Sequence, residues 1–189
     1  PSPTPTPTPT PTPPVALWVT DEGSDTVYKY EQDGTLVETT ALDGANGRGK
    51  GVAVDGLYIW DVDKDDDLVY KYTMDGSLIT TWPLHPSNGR PEGIVATSSL
   101  IVVIDADDNV FYVYDRSGNF IDSVSMHVDN HDARGIAAYD TYYYVVDSMD
   151  DQVYVYDGST YVSRWDLQSS NGSPEGIATG VRVLAKALE

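Results

Sequence analysis

The sequence lacks cysteine, and among its 189 residues it has only two phenylalanines and only 11 lysines and arginines. Without cysteine the chain forms no disulfide, offers no thiolate ligand to a metal and carries no thiol nucleophile. No apolar run approaches the ~18 residues that a membrane-spanning helix requires, so membrane insertion is not predicted. None of these absences identifies the compartment by itself, because many secreted proteins also lack disulfides.

Positive charge is scarce because 30 aspartates and glutamates give the chain a formal net charge of −19. Such a surface repels phosphate backbones and anionic membranes, which argues against nucleic-acid binding and membrane-surface binding. Cations, cationic partners and neutral ligands such as glycans remain compatible with this charge. The excess of acid is also explained by solubility alone.

A helical pattern is missing as well, since no apolar stripe with a period of 3.6 residues continues for ten residues. Fourteen tyrosines, together with many valines, isoleucines and threonines, suit pleated and half-buried surfaces. The sequence therefore predicts an all-β fold.

Residues 1–14 form a separate tract in which proline alternates with serine or threonine. Proline fixes φ and removes every second N–H donor, so the tract predicts an extended linker up to ~43 Å long at ~3.1 Å per residue. Pro/Thr linkers usually join modules of secreted or surface proteins, which predicts an extracellular or cell-surface location. Residues 15–189 form the predicted folded domain.

A repeat with a period near 42 residues organises this domain. One strand-like run begins at glycines spaced 42, 42 and 41 residues apart, and a second run is marked by tyrosines spaced by 42: Gly51, Gly93, Gly135 and Gly176, then Tyr28, Tyr70, Tyr112 and Tyr154. Each unit contains four predicted strands of 4–7 residues, and Asp-Gly turns such as Asp33-Gly34 mark hairpins. Short strands at this period predict the blades of a β-propeller.

The unit Pro91-Glu-Gly-Ile-Val, Leu100 to Asp105, Asn109 to Asp115 and Gly118 resembles an NHL-type repeat. Four copies in phase cover residues 15–181, and the resemblance implies four-stranded antiparallel blades around a central channel. NHL-type propellers usually have six repeats, so four is a departure. The register is also shifted, because the chain begins at a second strand and ends after an inner one.

The shifted register leaves three ways to close the ring. In a velcro closure, the inner strand Gly176 to Thr179 completes the blade begun by Leu17 to Asp21 and gives a four-bladed ring. Two copies could instead join into an eight-bladed ring as a homodimer, or the chain could be part of a longer propeller, with Val181 to Leu184 starting a fifth blade. An open arc exposes strand edges, which invite pairing.

The meander places two sets of loops on one face. The turns between second and third strands are acidic, whereas the loops entering the inner strands carry residues nearest the channel, where propellers commonly bind ligands: Arg48, Lys50, Arg90, Glu92, Arg134 and Glu175. We interpret Arg48, Arg90, Glu92, Arg134 and Glu175 as a binding face.

Asp61-Val-Asp-Lys-Asp65 has carboxylates on alternate residues, which is the spacing of a calcium loop. Calcium bound by Asp61, Asp63 and Asp65 is therefore one hypothesis. The expected glycine after the third aspartate is missing, and Tyr72 stands where a closing glutamate would be. The alternative is a solvated acidic turn.

No catalytic residue is predicted. The aspartate that ends each second strand (interpreted as Asp21, Asp61, Asp105 and Asp147) recurs in every unit, so it is expected to accept N–H bonds in the turn. The recurring tyrosines and Trp18, Trp60, Trp82 and Trp165 are expected to pack in the core. His85, His127 and His131 are expected to be loop residues, and no Gly-x-Ser-x-Gly motif occurs.

The hypothesis that best fits the sequence is a non-catalytic extracellular propeller that binds a protein or glycan on its loop face. The first alternative is a metal-assisted lyase or lactonase that uses the channel carboxylates Glu92 and Glu175. The second is a half-propeller that self-associates into a larger ring. The NHL-like repeat predicts the fold and does not choose among these functions.

Overall fold

A computed structural model describes residues 17–21, 23–31 and 33–178. This part of the chain contains fifteen β-strands and no helix. It therefore has no helix that is long and apolar enough to cross a membrane. The predicted linker, residues 1–14, lies outside the described residues, and so does the end of the predicted domain, residues 179–189.

The strands form four consecutive antiparallel meanders, each of which is one blade. Blade I contains β1 (Leu17–Asp21), β2 (Thr26–Tyr30) and β3 (Leu36–Ala41). Blade II contains β4 (Gly49–Val54), β5 (Tyr58–Asp63), β6 (Leu68–Thr73) and β7 (Leu78–Pro83). Blade III contains β8 (Pro91–Ala96), β9 (Leu100–Asp105), β10 (Val110–Asp115) and β11 (Phe120–Ser125). Blade IV contains β12 (Ala133–Tyr139), β13 (Tyr142–Asp147), β14 (Gln152–Asp157) and β15 (Thr160–Asp166).

The protein is thus an all-β, four-bladed β-propeller built on the four-stranded antiparallel plan, as the repeat predicted. Blades II to IV contain all four strands, whereas the described residues of blade I form three. Pairing is in register from blade to blade: Asp63 opposes Leu68, Asp105 opposes Val110 and Asp147 opposes Gln152. The period of 42 residues therefore carries over into equivalent positions in space.

The innermost strands lie side by side, and glycine allows them to approach closely. A Cβ added at Gly51 would lie 3.0 Å from the Cα of Gly93, and one added at Gly135 would lie 2.8 Å from the Cα of Gly176. Real side chains do not tolerate such contacts. Glycine at positions 51 and 135 is therefore required by contact with the neighbouring inner strand.

The core lies between the blades, because strands buried on both faces contribute to two junctions. Trp60, Val62 and Val103 are completely buried and belong to one cluster between blades II and III. Tyr143, Tyr154 and other residues of blade IV pack with blade III in a second cluster. Of the four tryptophans, Trp60 and Trp82 are core residues as expected, while Trp18 is half-buried and Trp165 is 45% exposed.

The acidic turns between second and third strands have one recurring backbone feature. The residue directly before each third strand has a positive φ: Asp25 (47°), Asp67 (53°), Asn109 (52°) and Asp151 (53°). Aspartate and asparagine tolerate this left-handed conformation better than other non-glycine residues. The repeated acid or amide at these positions therefore has a conformational cause.

Every outer strand contains a β-bulge at the same place. The register shifts opposite Tyr30, Tyr72, Tyr114 and Tyr156, and it leaves one extra apolar residue per blade. These bulge residues are about half exposed: Val37 (49%), Ile79 (45%), Ile121 (53%) and Val162 (51%). A bulge disrupts the ladder of an edge strand and bends it.

The segment that follows β15 occupies an inner position but forms no strand within the described residues. Its Gly176 lies against Gly135 much as Gly93 lies against Gly51. No backbone ladder joins residues 174–178 to β1 in the described part of the chain. Because the predicted closing strand extends to Thr179, outside that part, velcro closure stays a prediction.

Candidate functional site at the channel mouth

The inner strands and the segment 175–178 line a central cavity of about 480 Å³. Its walls combine the recurring glycines with larger side chains, among them Trp18 of β1, Ile94, Ile136 and Ile177. At one end, the cavity opens into a second space of about 380 Å³ with a charged wall, formed by Thr20, Gly49, Lys50, Glu92, Arg134 and Glu175. We call this charged end the channel mouth.

Four of these residues occupy the same position in successive repeats, at intervals of 42, 42 and 41 residues: Lys50, Glu92, Arg134 and Glu175. Their charges alternate in sign along the row of inner strands. The backbone repeats while the side chain changes, so this position distinguishes the blades from one another.

Glu92 is the most buried charged residue of the mouth, with 5% of its surface exposed. Its Oε1 atom accepts hydrogen bonds from Lys64 Nζ at 2.7 Å and from Arg90 Nε at 3.1 Å. Arg134 of the next blade donates to the same oxygen at 3.2 Å. Three cations from blades II, III and IV thus converge on one carboxylate.

Arg134 extends this network. Its Nε and one terminal nitrogen both donate to Asp132 Oδ2 at 3.0 Å, and its other terminal nitrogen lies 3.9 Å from Glu175. Arg90 also pairs with Asp107 at 2.9 Å. The structure therefore brings together four of the five residues predicted as a binding face, Arg90, Glu92, Arg134 and Glu175.

Arg48, the fifth predicted residue, pairs with Asp65 at 3.1 Å toward the outside of the mouth. Lys64, in contrast, belongs to the network but was missed by sequence reasoning. It follows Asp63 in the turn after β5, where blades III and IV have Ala106 and Ser148. Aligning the four repeats at this position would have shown Lys64 as an exception.

The repeated turn aspartate was assigned wrongly in blade II. The pairing register places Asp63, not Asp61, at the position of Asp105 and Asp147. Asp63 accepts N–H bonds from Asp65 and Asp66 at its Oδ1 and from Arg48 at its Oδ2. The predicted structural role is confirmed for the series, with Asp63 as its member in blade II.

The acid at Asp61 is consequently specific to blade II, since the other blades have Val19, Val103 and Val145 at this position. It is completely buried, and burial raises the pKa of its carboxyl to about 8. Asn46 donates to it at 2.8 Å, and the hydroxyl of Thr20 on blade I lies 3.5 Å away. A Cβ at Gly49 would lie 2.6 Å from this carboxylate, so glycine there leaves room for it.

These contacts bear on the calcium hypothesis. Asp61 is buried against Asn46, Asp63 caps backbone amides, and Asp65 pairs with Arg48 on the surface. The one group of three potential ligands that converges within residues 17–178 is His131, Asp147 and Asp150, whose atoms lie within 4.8 Å of one another. Asp147 there is already occupied by four backbone N–H groups. Calcium at Asp61, Asp63 and Asp65 stays a prediction.

The histidines lie in loops, as expected, and away from the mouth. The ring of His85 stacks beside Tyr112 and Phe120, and that of His127 lies 4.0 Å from the ring of Tyr161. Both are therefore part of aromatic clusters at the outer side of the blades. None of the three histidines lines the two cavities described here.

No family model matches the chain, and no curated protein matches it. Solved structures do match. An inactive histidine-to-alanine variant of virginiamycin B lyase from Staphylococcus aureus, with quinupristin, has 16% identity and a TM-score of 0.62, covering 86% of this chain and 56% of that chain. The WD40 repeats of RRP9 have 13% identity and a TM-score of 0.57, covering 84% and 49%.

BBS1N in complex with ARL6DN has 20% identity and a TM-score of 0.55, covering 80% of this chain and 46% of that chain. At these identities the likeness shows the propeller fold alone. The chain spans about half the length of the structures it matches. These neighbours support a propeller and do not distinguish an NHL-type repeat from other blades.

Proposed function

We propose that this chain is a non-catalytic binding module of an extracellular or cell-surface protein, with the channel mouth as its ligand-binding surface. The observation that carries the proposal is the row Lys50, Glu92, Arg134 and Glu175. One repeated backbone position presents charges of alternating sign beside an open cavity. Such a pattern distinguishes partners by charge complementarity.

The network also explains why binding is favoured over catalysis. Glu92, the most buried acid of the mouth, is only 5% exposed, and its Oε1 atom is held by three cations. A general base must lie within hydrogen-bond reach of the proton that it takes from a substrate, and the burial and ion pairing of Glu92 hinder this approach. The mouth is therefore better suited to positioning fixed charges than to transferring a proton.

The partner is a protein or a glycan. BBS1N, a propeller of similar fold, was solved in complex with a protein, which supports the first class. The charged rim around a cavity of about 380 Å³ also has the size to hold one or two polar sugar rings. The predicted Pro/Thr linker would set the distance between this module and the rest of its protein.

A glycan array of neutral and acidic oligosaccharides, followed by calorimetric titration of any hit, tests the proposal. Arg134→Ala should abolish binding, since it removes the cation that joins Glu92, Asp132 and Glu175. Arg164→Ala is the matched control, because Arg164 is also an ion-paired arginine but lies on the outer strand β15. Equal loss in both variants, or no loss in Arg134→Ala, would contradict binding at the mouth.

The second candidate is a lyase, which the superposition on virginiamycin B lyase favours. In this reading Glu92 or Glu175 acts at the channel with the help of a metal. The test is incubation of the protein with quinupristin and a divalent cation, with chromatographic detection of any product. Turnover that disappears in both Glu92→Gln and Glu175→Gln would replace the binding module by an enzyme.

A further inference from the structure

Strand β1 differs from its three counterparts by having an uncovered edge. Within the described residues it pairs with β2 only, whereas β5, β9 and β13 each lie between two strands. Val19 on β1 is 50% exposed, while Val103 and Val145 at the same position are completely buried. Among the described residues, blade I therefore presents an inner edge with unpaired backbone groups, which is the surface that an added strand recognises.

The aspartate at the end of β1 shows the same incompleteness. In blades II and III, the Oδ2 atom of this aspartate accepts the backbone N–H of Arg48 or Arg90, which enters the inner strand. Asp21 accepts only from Ser24 among the described residues, through its Oδ1. Its second oxygen is thus positioned to accept the amide of an incoming inner strand.

The other end of the row of blades offers such a strand. Gly176 and Ile177 lie against Gly135 as Gly93 and Ile94 lie against Gly51, which is the inner-strand position. A Cβ built on Gly176, however, meets no atom within 4 Å. Ser173, the counterpart of Arg48 and Arg90, donates its N–H to Asp151 of its own blade IV. The segment is therefore held on blade IV at the inner-strand position, with no outer strands beside it among the described residues.

The edge of β1 and the segment 174–178 are thus complementary, but their positions favour pairing between two molecules over pairing within one. The segment lies on blade IV, and among the described residues nothing follows Gly176 in the row of inner strands. The four blades also superpose on only 56% of the longer lyase chain. In the described part of the chain a Cβ built on Gly176 meets no neighbouring atom, so the segment makes no such contact with the inner strand of blade II.

We propose that the exposed edge of β1 binds residues 174–178 of a second copy of this chain, and that two such contacts join two copies head to tail. The register of β8 with β9 predicts the contact, because it would place Ile177 opposite Val19 and Ser173 near Asp21. A two-fold axis closes the pair, so growth stops at a dimer. This proposal does not rest on the proposed function, although the docking segment carries Glu175 of the channel mouth.

Light scattering on the purified chain tests the stoichiometry. The expected mass is twice 20.6 kDa. Because each copy carries a net charge of −19, dimerisation should strengthen as salt screens repulsion between the copies. Val19→Lys places a charge on the exposed edge without disturbing the core and should give a monomer. A monomer of wild-type protein at all salt and protein concentrations overturns the proposal.

Cysteine cross-linking distinguishes a second copy from closure within one chain, and the absence of native cysteine makes the result clean. Chains with Val19→Cys and chains with Ile177→Cys are mixed and oxidised. A disulfide between the two kinds of chain supports the proposal, since it requires paired positions on neighbouring strands. Ile121→Cys on the bulge of β11, which is 53% exposed, replaces Ile177→Cys in the control mixture and should not cross-link.

The double variant with Val19→Cys and Ile177→Cys tests the alternative outcome, which is closure within one chain. If the chain closes on itself, this variant forms a disulfide within a monomer, while the mixture of single variants stays unlinked. That pattern would replace the dimer by velcro closure. No cross-link in either sample, with the protein folded, would likewise end the proposal.

Discussion

The junction between blades I and II differs from the junction between blades II and III, although both are built from the same repeat. Among the described residues, five buried apolar side chains form the first cluster and twelve form the second. Thr20, Asp61 and Gly49 lie in the first junction where Val62, Val103 and Pro91 lie in the second. One junction contains an acid and a hydroxyl at positions where the other has apolar side chains.

Because the blades repeat one another, a residue in one blade can be judged against the residue at the same position in another. Asn46 donates to Tyr72 at 3.1 Å and to Asp61, whereas Asn130 in blade IV donates to Tyr156 at 3.3 Å beside Val145. The amide and the tyrosine are therefore shared scaffold. The buried carboxyl is what blade II adds to it.

The largest change in stability is expected when an aspartate is placed in the apolar junction between blades II and III. Val103→Asp buries a carboxyl beside Pro91, where no glycine leaves room, and should lower the free energy of unfolding by about 4 kcal/mol or prevent folding. Denaturant titration measures the change. Val103→Ala controls for lost volume and should cost about 2–3 kcal/mol. Equal losses in the two variants would show that charge is tolerated there.

Removing the acid from the polar junction should stabilise the protein. Asp61→Val gives blade II the residues of blade IV and should raise the free energy of unfolding at pH 7 by about 1–3 kcal/mol. Asp61→Asn is the second variant, since it keeps the shape and removes the charge. Lower stability in both variants would mean that the carboxyl is favourable where it lies.

The same variants predict a pH dependence. The pKa of Asp61 is about 8 in the folded protein against an ordinary 3.8, so the folded state holds a proton that the unfolded state releases between those values. The stability contributed by the neutral acid is complete below pH ~4, is lost as pH rises toward 8, and is constant above. The advantage of Asp61→Val should therefore grow by roughly 1.4 kcal/mol per pH unit between pH 5 and 7.

A smaller effect is expected at the mouth, where blades II, III and IV are joined by charge. Glu92→Gln leaves Lys64, Arg90 and Arg134 without their shared carboxylate and should cost about 1–2 kcal/mol at low salt. Added salt should reduce the difference, because it screens the repulsion among the three cations. Melting temperatures in low and high salt measure this effect. If the stability lost in Glu92→Gln does not change with salt, the loss comes from packing and not from charge.

The smallest effect is expected from Thr20→Val, which gives the polar junction the residue of Val62. The hydroxyl lies at the limit of a hydrogen bond, 3.5 Å from Asp61, so the change should stay within about 0.5 kcal/mol. In the Asp61→Val background the same substitution should become stabilising. A double-mutant cycle measures the coupling, and strict additivity would show that the two side chains do not interact.

Much of this architecture could be predicted from the sequence, because the repeat expresses local requirements. Glycine is needed where inner strands touch at Gly51 and Gly93, and continuous apolar runs are needed on strands buried on both faces. The binding-face residues Arg90, Glu92 and Arg134 followed from the same periodicity. Their convergence on Glu92 was not predicted, because it depends on how far side chains reach between blades.

Asp61 shows where pattern reading failed. The Trp60-Asp61 pair resembled the end of a second strand, and counting 42 residues from Asp21 would have given Asp63 instead. The closure of the ring could not be predicted either. It depends on the angle between successive blades, which accumulates through four junctions and leaves no signal in the spacing.

The bulges of the outer strands determine how this protein can assemble. Each blade carries its extra half-exposed residue (Val37, Ile79, Ile121 or Val162) on the edge that faces away from the channel. A regular ladder cannot continue across a bulge, so sheets of different molecules cannot fuse there into fibrils. Strand β1, in contrast, pairs with β2 without a register shift, so it has no bulge of this kind. The bulges therefore prevent open-ended pairing at the outer strands, while addition of a strand to the exposed edge of β1 remains possible.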